Sequence, residues 1–566
     1  MRPAPRTGHA GATLNTIRPE CRFATLQQCF RAPPLGSHAA SGVPREMSPL
    51  SRNGTLRQPW RARQSSSLSL ENPTLTASTS GTSSSAARGA ASADLTLDDI
   101  TIVDNTLLKR AVGAMALGNA MEWFDFGVYS YIAVTLGQVF FPSSSPSAQL
   151  IATFGTFAAA FLVRPIGGMV FGPLGDRIGR QRVLAMTMIM MACGTFAIGL
   201  IPSYHAIGIA APVLLLAARL VQGFSTGGEY GGAATFIAEF ATDKRRGFMG
   251  SFLEFGTLIG YVFGAGSVAV LSAVLKHDAL LEWGWRVPFL VAGPLGLVGL
   301  YIRMKLEETP AFKREAELRE AEEHARPKLT LGTLLSQHLR PFLLCVGLVL
   351  IFNVTDYMAL SYLPSYLSAT LHFNETHGLF LVLIVMVLMM PMTLAFGRLS
   401  DAIGRKPVML AGCVGLIALS IPSLTLIQTG SLVPVFFGLL ILGALLSCFT
   451  GVMPSALPAL FPTAIRYGAL AIGFNVSVSL FGGTTPLVAA WLVDHTQNLM
   501  MPAYYLMGAA VVGIVSVLAL PETARRPLPG SAPSVSTRAE AHAVLRGVRL
   551  ARELDDEFAT ANAVRA

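Results

Sequence analysis

The chain has 566 residues, of which 52% are hydrophobic and 13% charged, with a mean hydropathy of +0.53 and a net charge of +9. Soluble proteins carry about 25% charged residues, so this composition excludes an ordinary water-soluble enzyme. The positive balance does not point to nucleic acid, because the excess Lys and Arg fall in loops and tails, where anionic lipid and topology account for them. The six cysteines show no metal-ligand spacing and read as small packing residues, and no cofactor is expected.

Residues 1–94 are rich in Ser, Ala, Arg and Pro, contain no Lys and show no periodicity, which predicts a disordered extension. An Arg- and Ser-rich, acid-poor start also fits a targeting segment. From 111 onward, apolar stretches of membrane-spanning length predict twelve spans: 111–136, 149–172, 183–201, 209–236, 248–275, 286–304, 340–368, 378–397, 407–426, 431–458, 468–492 and 501–520. The expected organisation is a first half over 95–304, a charged central loop over 305–339, a second half over 340–527 and a tail over 528–566. Val544, Val548, Leu550, Leu554 and Phe558 among the tail's charges predict a short amphipathic helix, with membrane-surface contact as an alternative.

Loop charge sets the orientation. Arg177, Arg180 and Arg182, then Lys244, Arg245 and Arg246, then the central loop, then Arg398, Arg405 and Lys406, then Arg466 all fall in alternate loops. The intervening loops are nearly free of Lys and Arg, apart from Lys276 and Arg286. Both termini and the central loop are therefore expected in the cytoplasm. The stretch Gly172-Pro-Leu-Gly-Asp176-Arg-Ile-Gly179-Arg180 follows the second span, and Gly397-Arg-Leu-Ser-Asp401-Ala-Ile-Gly404-Arg405 follows the eighth. The sixth span ends Glu308-Thr309-Pro310 and the twelfth ends Pro521-Glu522-Thr523. Such parallel repeats accompany transporters that rock about a central site.

The 172–180 pattern resembles the loop signature of the major facilitator superfamily. Gly118-Asn-Ala-Met-Glu-Trp-Phe-Asp-Phe126, Phe161-Leu-Val-Arg-Pro165 and Gln222-Gly-Phe-Ser-Thr-Gly-Gly-Glu-Tyr230 resemble its metabolite:proton symporter branch. Arg246-Gly-Phe-Met-Gly-Ser-Phe-Leu-Glu254, Cys448-Phe-Thr-Gly-Val452, Phe461-Pro-Thr-Ala-Ile-Arg466 and Asn498-Leu-Met-Met-Pro-Ala-Tyr-Tyr-Leu506 are similar to bacterial proline/betaine transporters. The resemblance, over 95–527, implies an all-α polytopic membrane protein with twelve transmembrane helices in two six-helix repeats. It further implies a bacterial inner-membrane symporter that uses the proton as coupling ion and imports osmolytes such as proline and glycine betaine. A mono- or dicarboxylate symporter of the same fold and a non-transporting membrane sensor are the competing readings.

Ionisable residues inside spans are costly and mark function. The candidates are Glu122, Asp125, Arg164, Arg219, Glu229, Glu254 and Asp356. Asn119, Glu122, Asp125 and Tyr129 share one helical face; Arg219, Gln222, Thr226 and Glu229 another; Ser251, Glu254, Leu258 and Tyr261 a third. Gly256, Gly260 and Gly264 form a separate small-residue face suited to helix packing. Four acids against two arginines leave a carboxylate surplus, so Glu122, Asp125, Glu229 and Glu254 are the proton-coupling candidates. Arg164 and Arg219 suit a substrate carboxylate, and Asn119 joins them as a polar contact. A quaternary ammonium binds aromatic faces, for which Trp123, Phe124, Phe126, Tyr131, Tyr362, Tyr366 and above all Tyr129 and Tyr357 are available. Asp176, Arg177 and Arg180, with Glu239 and Asp243 in reach and Asp401 and Arg405 as repeat counterparts, are expected to form a cytoplasmic gate. The Gly-rich stretch 227–232 lacks a Gly-Lys-Ser/Thr ending and is no phosphate loop.

Overall fold

The computed structural model describes residues 96–97, 100–142, 144–178, 180–305, 336–463 and 465–549. The predicted extension 1–94 and residues 306–335 of the central loop lie outside them, as do the side chains of Asp176, Arg177 and Arg180. The described chain is almost wholly helical, because only intrachain hydrogen bonds can satisfy backbone N–H and C=O groups within hydrocarbon. In order, the principal helices are α1 (Asn105–Tyr131), α2 (Pro146–Ile178), α3 (Arg180–Leu200), α4 (Ala210–Ser225), α5 (Glu229–Phe240), α6 (Arg246–Val274) and α7 (Arg286–Lys305). The second part of the chain adds α8 (Leu339–Asp356), α9 (Glu375–Ile403), α10 (Arg405–Gln428), α11 (Leu432–Thr450), α12 (Arg466–Ser477), α13 (Thr485–Thr496) and α14 (Met501–Ala519).

Among the described residues, nine helical stretches are long and apolar enough to cross a membrane. Met186–Leu200 and Arg286–Val298 are shorter apolar helices. Helix α1 carries Lys109, Arg110, Glu122 and Asp125 and is not one of the nine; its two acids are turned inward and buried. Leu162, Ile166, Val274, Leu297 and Val515 lie on the outer surface, where lipid rather than water suits them.

The glycine face predicted on α6 packs against α1. A Cβ at Gly256 would lie 2.2 Å from Ala116 O, and one at Gly260 would lie 2.3 Å from Ala120 O. Only hydrogen fits, so the two backbones meet directly and Glu254 on α6 is brought beside Asn119 on α1. The opposite side of α6 packs on α9, from the second part of the chain.

Helix α4 stops at Ser225 and α5 restarts at Glu229, with Thr226, Gly227 and Gly228 as a turn between them. The face drawn from Arg219 to Glu229 is therefore not one continuous helical face, a consequence of consecutive glycines that favour turn over helix. In the second part, Tyr357–Tyr362, Tyr366–Thr370 and Val478–Gly482 are π-helical.

The segment before α1 and the tail after α14 run side by side. Strand β1 (Thr101–Ile102) pairs in parallel with β2 (Ser534–Val535), which defines the tail side of the helix array. A helix over 538–549 follows. Its Ala541, Val544 and Leu545 pack on Leu97, Ile100 and Val535, so of the predicted apolar positions Val544 meets protein; Val548 is half-buried, and Leu550, Leu554 and Phe558 lie outside the described residues.

The Gly260→Val variant tests the helix contact. It is expected to lower both membrane abundance and the thermal midpoint of the purified protein, since overpacking costs about 1–3 kcal/mol. Gly113→Val, where nothing lies within 4 Å of the added Cβ, is the control expected to match the parent.

Candidate functional site

Glu122 on α1 and Arg164 on α2 form an ion pair at 2.7 Å, each side chain 1% exposed. The pair takes up one of the four carboxylates singled out in the first half. Arg164 also lies over the rings of Phe126 and Phe161, at 5.4 and 5.1 Å. Its Nε and Nη1 find no hydrogen-bond acceptor among the described residues.

Asp125, one turn further along α1, accepts from Thr195 Oγ1 at 2.9 Å. The same hydroxyl accepts from Gln222 Nε2 at 2.9 Å, and Gln222 Oε1 accepts from Arg219 Nη1. Thus α1, α3 and α4 are joined by a polar chain with an acid at one end and a guanidinium at the other. Arg219 bonds Gln222 rather than Glu229, as the turn at 226–228 dictates. Its guanidinium sits 4.0 Å from the Tyr129 ring centre and 5.1 Å from that of Phe157. Tyr129 in turn bonds Thr156 and Thr153 O. The ring face expected to receive a solute cation is therefore held by Arg219 in this conformation.

Glu254 is environed differently. Tyr230 Oη donates to its Oε1 at 2.6 Å and Thr257 Oγ1 to its Oε2 at 2.9 Å. Both donors are neutral, and no cation lies within ion-pair distance of it among the described residues. Asn119 donates to Thr257 Oγ1 at 2.6 Å and to Leu253 O at 2.9 Å, so its amide braces the cluster. Glu229 begins α5 and is buried. Asp356 is buried at the end of α8, with Tyr261 Oη 3.5 Å from its Oδ2.

An aromatic cluster fills the middle of the array, where the two parts of the chain meet. Trp123 lies 5.4 Å from Tyr261 and 6.0 Å from Tyr357, ring centre to ring centre. Tyr357 also meets Phe161 at 5.3 Å, and Phe126 meets Phe161 at 4.9 Å. Trp123 Nε1 and Tyr357 Oη are buried without a hydrogen-bond partner among the described residues. Tyr131 approaches Met386 Sδ at 3.5 Å, while Tyr362 and Tyr366 pack on one another. Ser479 Oγ donates to Phe161 O at 2.6 Å, another bond between the two parts.

On the tail side, Asp401 at the end of α9 accepts from the backbone N–H of Gly247 and Phe248, both at 2.8 Å. A carboxylate on the first turn of α6 meets its unsatisfied N–H groups and its dipole. Glu239 pairs with Arg466 at 2.6 Å across the same interface. Asp243 pairs with Arg246 at 2.5 Å and exchanges two bonds with Ser534 of the tail. Arg246 also donates to Arg526 O, and Arg466 to Pro529 O. The tail from 526 to 535 is thus strapped to residues of both parts.

Arg405 is buried and bonds Thr523 rather than Asp401. Glu522, which the sequence flagged only as part of a repeat, accepts from the N–H groups of Arg405 and Lys406 at the start of α10 and of Thr523 and Ala524. Burial alone would raise the Glu522 carboxyl, but these backbone donors outweigh it and hold it below the ordinary glutamate value. Gly404, at φ +105°, makes the turn before it. Arg286, the exception to the loop-charge pattern, donates to Gly199 O and Ile201 O and so serves the end of α3. Thr195, Tyr230, Thr257 and Glu522 are the participants sequence reasoning did not select. Tyr230 stood within a quoted motif and Glu522 within a repeat; the two threonines carry no signal of their own.

The Major Facilitator Superfamily profile matches residues 115–466. The chain is 52% identical over 456 residues to the glycine betaine/proline/ectoine/pipecolic acid transporter OusA of Dickeya dadantii, covering 80% of this chain and 91% of that protein. It is 51% identical over 455 residues to the proline/betaine transporter of Escherichia coli K12, with the same two coverages. Among solved structures, the proton:xylose symporter XylE bound to 6-bromo-6-deoxy-D-glucose matches with a TM-score of 0.60 at 20% identity, over 74% of this chain and 97% of that one. The partially occluded inward-open form of XylE from E. coli gives 0.58 at 20% identity, over 74% and 99%. At that identity the likeness carries the fold alone.

Two outcomes follow from these contacts. Glu122→Gln and Arg164→Gln each leave a buried charge without its partner, a loss of about 3–5 kcal/mol. Each single variant is expected to lose membrane abundance, and the double variant to recover much of it, as read by quantitative immunoblotting. Glu522→Gln is expected to lower the thermal midpoint at pH 7. Because the folded-state carboxyl is depressed, its contribution is present above the ordinary glutamate pKa and fades as pH falls through the folded value. The difference between parent and variant midpoints should therefore narrow on acidification.

Proposed function

The chain belongs to the major facilitator superfamily, and from that membership we propose that it is a proton-coupled symporter importing zwitterionic compatible solutes, proline and glycine betaine among them, by alternating access. The observation that carries this reading is its identity of half or more over 91% of transporters whose names give those solutes. It is a bacterial inner-membrane transporter, and the proposal extends to its arrangement. Twelve transmembrane helices in two six-helix repeats are supported by the paired motifs at the ends of α2 and α9, with α1, α3 and α7 completing the nine longer stretches. The tail side is the cytoplasmic side, in keeping with loop charge, and the chain divides at 95–304, 305–339, 340–527 and 528–566.

Within this reading Glu254 is the coupling carboxyl. A proton can neutralise it without breaking an ion pair, because its bonds come from Tyr230 and Thr257. Glu122 is held by Arg164, and Asp125 is tied through Thr195 and Gln222 to Arg219; Glu229 keeps its place among the coupling candidates. The solute sits at the aromatic cluster, its ammonium against the Trp123 and Tyr357 rings and its carboxylate toward the unused donors of Trp123, Tyr357, Arg164 and Arg219. Asp401, Arg405, Glu239 and Asp243 close the cytoplasmic face, with Asp176, Arg177 and Arg180 assigned to it by sequence.

The two arginines with unused donors also favour a second reading, a carboxylate symporter of the same fold. Purified protein in vesicles under an imposed proton gradient separates them. Labelled glycine betaine and proline are expected to accumulate, and a protonophore to abolish accumulation. Uptake of 2-oxoglutarate with neither osmolyte transported would replace the first reading with the second.

A further inference from the structure

Helices α5 and α12 come from opposite parts of the chain and meet closely. Gly231 would place a Cβ 3.0 Å from Ala471 Cα. Asn475 donates to Gly227 O, and Tyr467 Oη to Gly228 O at 3.3 Å, using the carbonyls that the break between α4 and α5 leaves available. At the centre of this contact the Tyr230 ring lies on Phe474, with centres 3.9 Å apart and planes inclined by 11°. Tyr230 is 4% exposed and Phe474 2%. The hydroxyl of that same tyrosine reaches Glu254 Oε1 at 2.6 Å.

We propose that Tyr230 is a positioning residue that transmits the charge on Glu254 to the interface between the two parts of the transporter. The inference rests on Glu254 being the coupling carboxyl. A hydroxyl donating to an ionised carboxylate makes a short, charge-assisted bond, roughly twice as strong as a neutral one. With Glu254 ionised, the bond fixes the ring where it stacks on Phe474 and holds α5 against α12. A proton on Glu254 weakens the bond and loosens that stack, so the cytoplasmic face opens once proton and solute are both aboard. Release of the proton restores the bond and favours closure of the empty carrier. Solute exchange cycles the protonated, loaded carrier and does not need that return; net accumulation does.

The variants Tyr230→Phe, Phe474→Leu and Glu254→Gln, measured in vesicles and corrected for inserted protein, test this. Tyr230→Phe keeps the ring and removes the donor. It is expected to lower proton-driven accumulation about tenfold while leaving solute exchange within about twofold of the parent. Phe474→Leu, which keeps the bond and removes the stacked partner, should show the same split and stands in if Tyr230→Phe fails to insert. Parent-like accumulation in Tyr230→Phe, or a parallel fall of exchange and accumulation, overturns the proposal. Glu254→Gln decides the underlying reading separately. Lost accumulation with retained exchange supports Glu254 as the coupling carboxyl whatever Tyr230 does, and retained accumulation removes both.

Discussion

A carboxylate at bilayer depth is tolerated in three ways: against a cation, against hydrogen-bond donors, or with a proton. The first group of helices uses the first two side by side. Glu122 has Arg164, Asp125 has Thr195, and Glu254 has Tyr230 and Thr257. These needs decide which helices must touch. The Glu122 pair binds α1 to α2, the Asp125 chain binds α1 to α3 and α4, and the Glu254 cluster binds α6 to α5 and, through Asn119, to α1. What differs among the three is the consequence of adding a proton. It would leave Arg164 without its counter-charge, whereas at Glu254 it removes a charge that has no cation opposite it among the described residues.

That arrangement requires backbones to approach more closely than side chains ordinarily permit. The Gly256 and Gly260 contacts with α1 supply the approach, and without them Asn119 could not reach Thr257. The aromatic cluster is the complementary device. Lined by Trp123, Tyr261, Tyr357 and Phe161, it joins the two parts of the chain through faces and edges that can re-pack. Charged groups fix the first part internally, while rings and backbone carbonyls form much of the contact with the second.

Much of this was legible in the sequence, and the limits have physical reasons. Nine of the twelve predicted apolar runs stand as helices of membrane-spanning length among the described residues, and the α6 glycine face packs as read, because hydrocarbon thickness and helical period leave few alternatives. The acids and arginines stood out because charge is rare in such stretches. Their partners did not. Helical spacing set Arg219 beside Glu229, but the turn at 226–228 breaks the spacing and sends the guanidinium to Gln222. Tyr129 read as a site for a solute cation, yet a protein cation lies over its ring. Arg286 read as misplaced charge and is an arginine satisfying the carbonyl end of α3. In each case the residue type was informative, while its contact depended on a helix distant in sequence.

The strap on the tail side has a consequence for biosynthesis. Ser534 lies 291 residues after Asp243, and Arg526 lies 280 after Arg246. A ribosome delivers Asp243 and Arg246 long before the residues that complete their bonding. The nascent helices must therefore insert and pair with this face uncovered, its Asp243 carboxylate bonded to Arg246 but still without Ser534. The strap forms only on a chain translated past α14. A polypeptide ending between α14 and residue 526 would hold every helix from α1 to α14 and still lack a segment that bonds to both parts on this face.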